Sequence, residues 1–151
     1  MKIKFYSLAT ALLLTATLQS NAQLSFTNTN ARLTNAAFHS GCTVSIADWN
    51  GDGLDDIIRL ADGHDAYVEV QQVNQSYQSI HLGDFGAGNS AWAMCIADVD
   101  HNGYKDILAD ASSSIKILMT NSSGTGGTFV TLPNSGFFLQ NATFADINNV
   151  G

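Results

Sequence analysis

The sequence predicts an all-β protein assembled from four-stranded units of about 50 residues, two of them whole and a third begun. Three observations lead there. Residues 44–58 align with residues 94–108 without a gap, and a third copy starts at Thr143. Between these copies lie short β-type runs separated by Gly, Asn and Ser clusters, with almost no helical periodicity. The acidic residues are 12 Asp against the single Glu69, and Asp competes with helix backbone and prefers turns and caps, so the acid belongs to loops.

The chain has 151 residues, 45% of them apolar, enough for one ordinary core. Residues 1–22 stand apart: Lys2 and Lys4, an apolar run from Leu8 to Leu18, then Ser20-Asn21-Ala22. This is the layout of a secretory signal peptide, with cleavage expected near Ala22. The run is well short of the roughly 20 residues a helix needs to span a bilayer, so no membrane span is expected. The expected location is outside the cell or in the periplasm. Cleavage would leave four basic against 13 acidic side chains and a net charge of −9. Such a surface repels polyanions, so nucleic acid is not an expected partner.

Residues 23–40 form a lead-in to the first unit, carrying Leu24, Phe26, Leu33 and Phe38, and are read as an outer strand. The first unit, 41–90, is expected to hold strands near Gly41–Ala47, Asp56–Leu60, Ala66–Gln72 and Tyr77–Leu82. The second, 91–140, repeats them near Ala91–Ala97, Asp106–Ala109, Ile115–Thr120 and Thr128–Leu132. Residues 141–151 begin a third unit. Four short strands per unit at this period match the blade of a β-propeller, and one blade needs neighbours to cover its faces. Apolar stretches without strict alternation, such as Ile57-Ile58 and Ile115 to Met119, suit a sheet covered on both sides. Propellers typically close with four to eight blades, so two blades and part of a third read as a fragment of a larger ring.

Each unit contains an acidic nine-residue loop. Side-chain oxygens fall at positions 1, 3, 5 and 9: Asp48, Asn50, Asp52 and Asp56 in the first, Asp98, Asp100, Asn102 and Asp106 in the second. Gly53 and Gly103 at position 6 permit a sharp turn, and the carbonyls of Leu54 and Tyr104 at position 7 can each add an oxygen. An all-oxygen set on a flexible loop suits a hard cation, calcium over magnesium, with two structural sites expected. An EF-hand would need Glu at position 12, where Arg59 and Ala109 stand, and helical flanks. The third copy places Val150 at position 5, and no metal is expected there.

The motifs D-x-N-x-D-G-x-x-D at Asp48–Asp56 and D-x-D-x-N-G-x-x-D at Asp98–Asp106, each preceded by Ile-Ala, resemble the FG-GAP or VCBS-type repeat. That repeat builds the β-propellers of integrin α-chains and of many exported bacterial proteins. The resemblance covers about residues 41–151. It implies a calcium-stabilised module for extracellular recognition or adhesion, with a protein or carbohydrate ligand. A full Phe-Gly-Gly-Ala-Pro signature is missing, and Asp84-Phe85-Gly86-Ala87-Gly88 is a loose echo.

The rest of the chain offers no catalytic constellation. His39, His64, His81 and His101 lack zinc-site spacing, no G-x-S-x-G elbow occurs, and the loops absorb the carboxylates. The expectation is a non-enzymatic module; the alternative is the propeller part of a secreted polysaccharide-active enzyme such as a lyase. Cys42 and Cys95 sit about three residues apart in strand height on the repeat alignment, farther than a disulfide spans, and read as buried thiols. Trp49, Trp92 and Tyr104 read as packing residues.

Overall fold

The computed structural model describes residues 25–34, 43–61, 64–86, 92–111, 114–133, 136 and 139–147. The expected signal peptide and Cys42 lie outside these residues. The first sheet runs β1 (Val44–Ala47), β2 (Asp56–Leu60), β3 (Asp65–Gln71) and β4 (Tyr77–Asp84). The second runs β5 (Met94–Ala97), β6 (Asp106–Ala111), β7 (Ser114–Thr120) and β8 (Gly127–Thr131). Each sheet is an antiparallel meander in chain order. All eight strands lie where the sequence pattern places them. The one described helical element is a single 3-10 turn at Asn30–Arg32.

Equivalent registers relate the sheets. Ile46 pairs with Ile57 and Ile57 with Glu69 in the first; Ile96 pairs with Ile107 and Ile107 with Leu118 in the second. Side chains alternate between faces along a strand. Ile58, Leu60, Ala66, Val68 and Val70 therefore share one face of the first sheet, while Ile107, Ala109 and Leu118 share the opposite face of the second. These two faces meet in one apolar cluster, with Ile58, Val68, Ile107 and Leu118 fully buried. Phe85, which follows β4, joins that cluster and stacks edge-on with Phe129 at 4.9 Å. This is the face-to-face packing of successive propeller blades.

Both hairpin turns that close the blades use an Asn side chain. Asn74 Oδ1 accepts from the backbone N–H and the hydroxyl of Ser76. Asn121 Oδ1 accepts from Ser123 and Thr125 in the β7–β8 turn. Such side-chain acceptors replace ladder partners that the turning backbone lacks.

Candidate metal centre

Each acidic loop joins the first and second strands of its sheet, so both loops emerge at the same end of the blades. In the first loop, Asp48 folds back over the turn. Its Oδ1 accepts from Gly51 N at 2.8 Å and Asp52 N at 3.0 Å, and its Oδ2 from Gly53 N at 3.0 Å. The second loop repeats this arrangement with Asp98, whose oxygens accept from Asn102 N at 3.1 Å and Gly103 N at 3.0 Å. Position 3 serves position 5 in both: Asn50 Oδ1 accepts from Asp52 N, and Asp100 Oδ1 accepts from Asn102 N. Position 5 then accepts from position 7, through Leu54 N at 2.8 Å and Tyr104 N at 2.9 Å.

The glycines at position 6 are required by backbone conformation. Gly53 and Gly103 have φ of +85° and +94°, yet a methyl at either would meet nothing within 4 Å. Position 4 is also left-handed, with Gly51 at φ +78° and His101 at φ 58°, a region that His enters more readily than most residues.

Position 9 is the buried end of each loop. Asp56 and Asp106 are fully buried at the start of β2 and β6. Asp56 accepts from Trp49 N at 3.1 Å and Gln71 N at 2.7 Å; Asp106 accepts from Val99 N and Thr120 N, both at 2.8 Å. Burial pushes both carboxyls above the ordinary value of 3.8. The backbone donors oppose this, and the carboxylates at positions 1 and 5 of the first loop, or 1 and 3 of the second, add to it. Among the described residues, the ion pairs are Arg59–Glu69 and His81–Asp65, and neither involves the loops.

In the second loop Asp98, Asp100 and Asp106 bring one oxygen each within 4.8 Å of one another. Among the described residues that is the one such acidic group, so the first loop holds its carboxylates farther apart. Its second Asp stands at position 5, where Asp52 Oδ2 accepts the Asn50 amide at 2.9 Å. In the second loop the same amide–carboxylate pair is exchanged, Asn102 donating to Asp100 at 3.2 Å and to the Thr120 carbonyl at 2.6 Å.

The donor set fits a hard cation. It is all oxygen, and the accepted N–H bonds leave lone pairs unused, since a carboxylate offers about four acceptor sites. Such an ion, held by Asp48, Asn50, Asp52 and Asp56 or by Asp98, Asp100, Asn102 and Asp106, would neutralise crowded charge. The side chain of Tyr104, whose carbonyl is the position-7 candidate, packs edge-on against Trp49 with ring centroids 5.0 Å apart. Trp49 is buried and Trp92 is half-exposed. Cys95 is a free, partly buried thiol whose pKa is raised by burial, against the opposing effect of a hydrogen bond with the Phe144 backbone.

Sequence reasoning missed the contact between the loops. Trp49 Nε1 donates to the Lys105 carbonyl and Lys105 N donates to the Trp49 carbonyl, both at 3.1 Å. The available signal was a Trp at position 2 in one copy alone, the equivalent being Val99.

No curated protein and no solved structure matches the chain. Residues 48–109, from the first position of one loop through the whole of the other and into β6, match the family described as FG-GAP-like repeat. Over those residues the chain is similar to an FG-GAP-like repeat, and the two four-stranded antiparallel meanders that hold them are of the β-propeller-blade kind.

Proposed function

We propose that this repeat protein is exported, loses residues 1–22, and acts as a calcium-held propeller module for extracellular recognition or adhesion. The observation that carries the calcium reading is the duplicated loop. Two copies place the same oxygens at the same positions, each ending in a buried carboxylate with no cationic side chain among its described partners. A buried carboxylate beside two others is costly as an anion unless a cation compensates it. In this reading the ions hold loops and perform no chemistry, and the ligand is a protein or carbohydrate bound by the assembled blades. Export is supported by the charge and apolar layout of residues 1–22.

The test is thermal unfolding of the mature chain in millimolar calcium and in chelator, with calorimetry for bound ions. Extracellular calcium modules often bind at about 10⁻⁴ to 10⁻³ M, so millimolar ion occupies them and raises stability by linkage. The expected result is a rise of several degrees that the Asp52→Ala, Asp100→Ala double variant loses. Identical curves with no bound ion would refute the calcium reading. The export reading is checked separately by the intact mass of secreted protein, expected to begin at Gln23.

A further inference from the structure

We infer that the two acidic loops bind their cations as a coupled pair, with Trp49 as the residue that joins them; this rests on the calcium reading above. The two position-9 carboxylates are linked by four hydrogen bonds joined through Trp49 and Thr120, each of which donates once from its backbone and once from its side chain. Asp56 Oδ2 accepts from Trp49 N at 3.1 Å. The Trp49 indole donates to the Lys105 carbonyl at 3.1 Å, which also accepts the Thr120 hydroxyl at 2.8 Å. Thr120 N donates to Asp106 Oδ1 at 2.8 Å. Asp56, Trp49, Thr120 and Asp106 are all buried, where water competes least for these bonds and close packing limits independent movement.

A second connection runs through the backbone. Lys105 N, which donates to the Trp49 carbonyl at 3.1 Å, belongs to the same peptide unit as the Tyr104 carbonyl, the position-7 candidate ligand of the second loop. A cation drawing on that carbonyl makes the Lys105 N–H a stronger donor to Trp49. The Trp49 ring is wedged against Tyr104, and Gly124 of the β7–β8 turn lies so close that a methyl there would come within 2.8 Å of Trp49 Cη2. Trp49 therefore cannot shift without displacing the second loop. Order imposed on either loop is passed to the other, which is positive coupling.

The device is specific to this pair of loops. Position 2 of the second loop is Val99, which keeps the backbone bond to Asp106 at 2.8 Å but is exposed and carries no donor.

The test is calorimetric titration of calcium chloride into the full chain, into Asp52→Ala and Asp100→Ala, which each disable one loop, and into the same three in a Trp49→Phe background. Coupling predicts that the product of the two binding constants in the parent chain exceeds the product of the single-loop constants by fivefold or more, the lower end of usual allosteric coupling. In the Trp49→Phe set this excess should fall towards one. Because Trp49 is a core residue, Thr120→Val provides a second route: it removes the hydroxyl from the Lys105 carbonyl and should reduce the excess. A third readout needs no core change. Calcium added to Asp52→Ala, which fills the second loop alone, should shift the backbone amide resonance of Trp49 in the first. Two bound ions with additive isotherms and an unmoved Trp49 amide would overturn the coupling and leave the calcium reading intact. No bound ion in any chain would overturn both.

Discussion

Two glycines with left-handed backbone separate conformational strain from lack of room. Gly124 has φ +64° and is buried in the β7–β8 turn; an added methyl would lie within 2.8 Å of Trp49 Cη2 and nearer still to Tyr104. Gly103, in the second acidic loop, has φ +94° but open space around the same position. Left-handed backbone costs a non-glycine residue about 1–2 kcal/mol. Overpacking against buried rings adds about 1–3 kcal/mol. Gly103→Ala should therefore cost about 1–2 kcal/mol and Gly124→Ala about 2–5 kcal/mol. For a domain of this size each kcal/mol lowers Tm by about 2–4 °C. The assay is thermal and urea unfolding, both in chelator so that altered ion affinity does not enter. Equal losses for the two variants, or a smaller loss for Gly124→Ala, would refute the view that the second blade's turn is fitted onto the Trp49–Tyr104 pair.

Leu118→Ala, which empties a fully buried position between the sheets, should cost about 2–5 kcal/mol by urea unfolding, whereas Leu108→Ala on the other face of the same sheet should cost less. Arg59→Ala strands the buried Glu69 carboxylate and should cost about 3–5 kcal/mol; replacing both by Arg59→Met with Glu69→Leu should recover most of it in the same assay. In chelator, Asp56 and Asp106 bind protons more tightly folded than unfolded. Their contribution is full below the ordinary value of 3.8 and is lost as pH rises through their raised values. Thermal melts in chelator should show this decline from about pH 4 upward, and the Asp56→Asn, Asp106→Asn double variant should lack it.

The fold was legible because the repeat announces itself: an ungapped match shows one supersecondary unit used twice, and the eight blade strands follow, whereas residues 25–34 of the lead-in, read as an outer strand, hold a 3-10 turn and no strand. Strand ends were less legible. β4 runs on to Asp84 and β6 to Ala111, two residues past their apolar patterns, and the irregular register at Ala66/Tyr67 has no local mark. The loops were readable for a similar reason, since Asp48 to Gly53 and Asp98 to Gly103 satisfy one another within six residues. What closes the site from outside was not. Gln71 and Thr120 donate to the position-9 carboxylates from distant strands, and the Trp49–Lys105 exchange spans both repeats. The two loops also look alike in sequence, yet the one with its middle carboxylate at position 3, not position 5, is the one that draws three carboxylate oxygens within 4.8 Å.

The repeat breaks down on one face, where polar side chains take the place of apolar ones. The registers make Arg59, Glu69 and Ser79 of the first sheet equivalent to Ala109, Leu118 and Phe129 of the second. In the second sheet those residues are the surface that packs onto the first. In the first sheet the same surface holds a buried ion pair, with the Ser79 hydroxyl 3.0 Å from Glu69 Oε1 and Arg59 lying over the Tyr67 ring at 5.4 Å. The opposite faces, by contrast, keep their character: Ile58, Val68 and Ile80 correspond to Leu108, Ile117 and Val130. Arg59 and Glu69 are both buried, and Glu69 Oε2 has no hydrogen-bond partner among the described residues. Burying a carboxylate oxygen without a donor is costly, and here Arg59 and the Ser79 hydroxyl, both on the other oxygen, offset that cost. Equivalent positions of two alike sheets thus carry an ion pair in one and apolar contacts in the other, and the distinction is written in three side chains on adjacent strands.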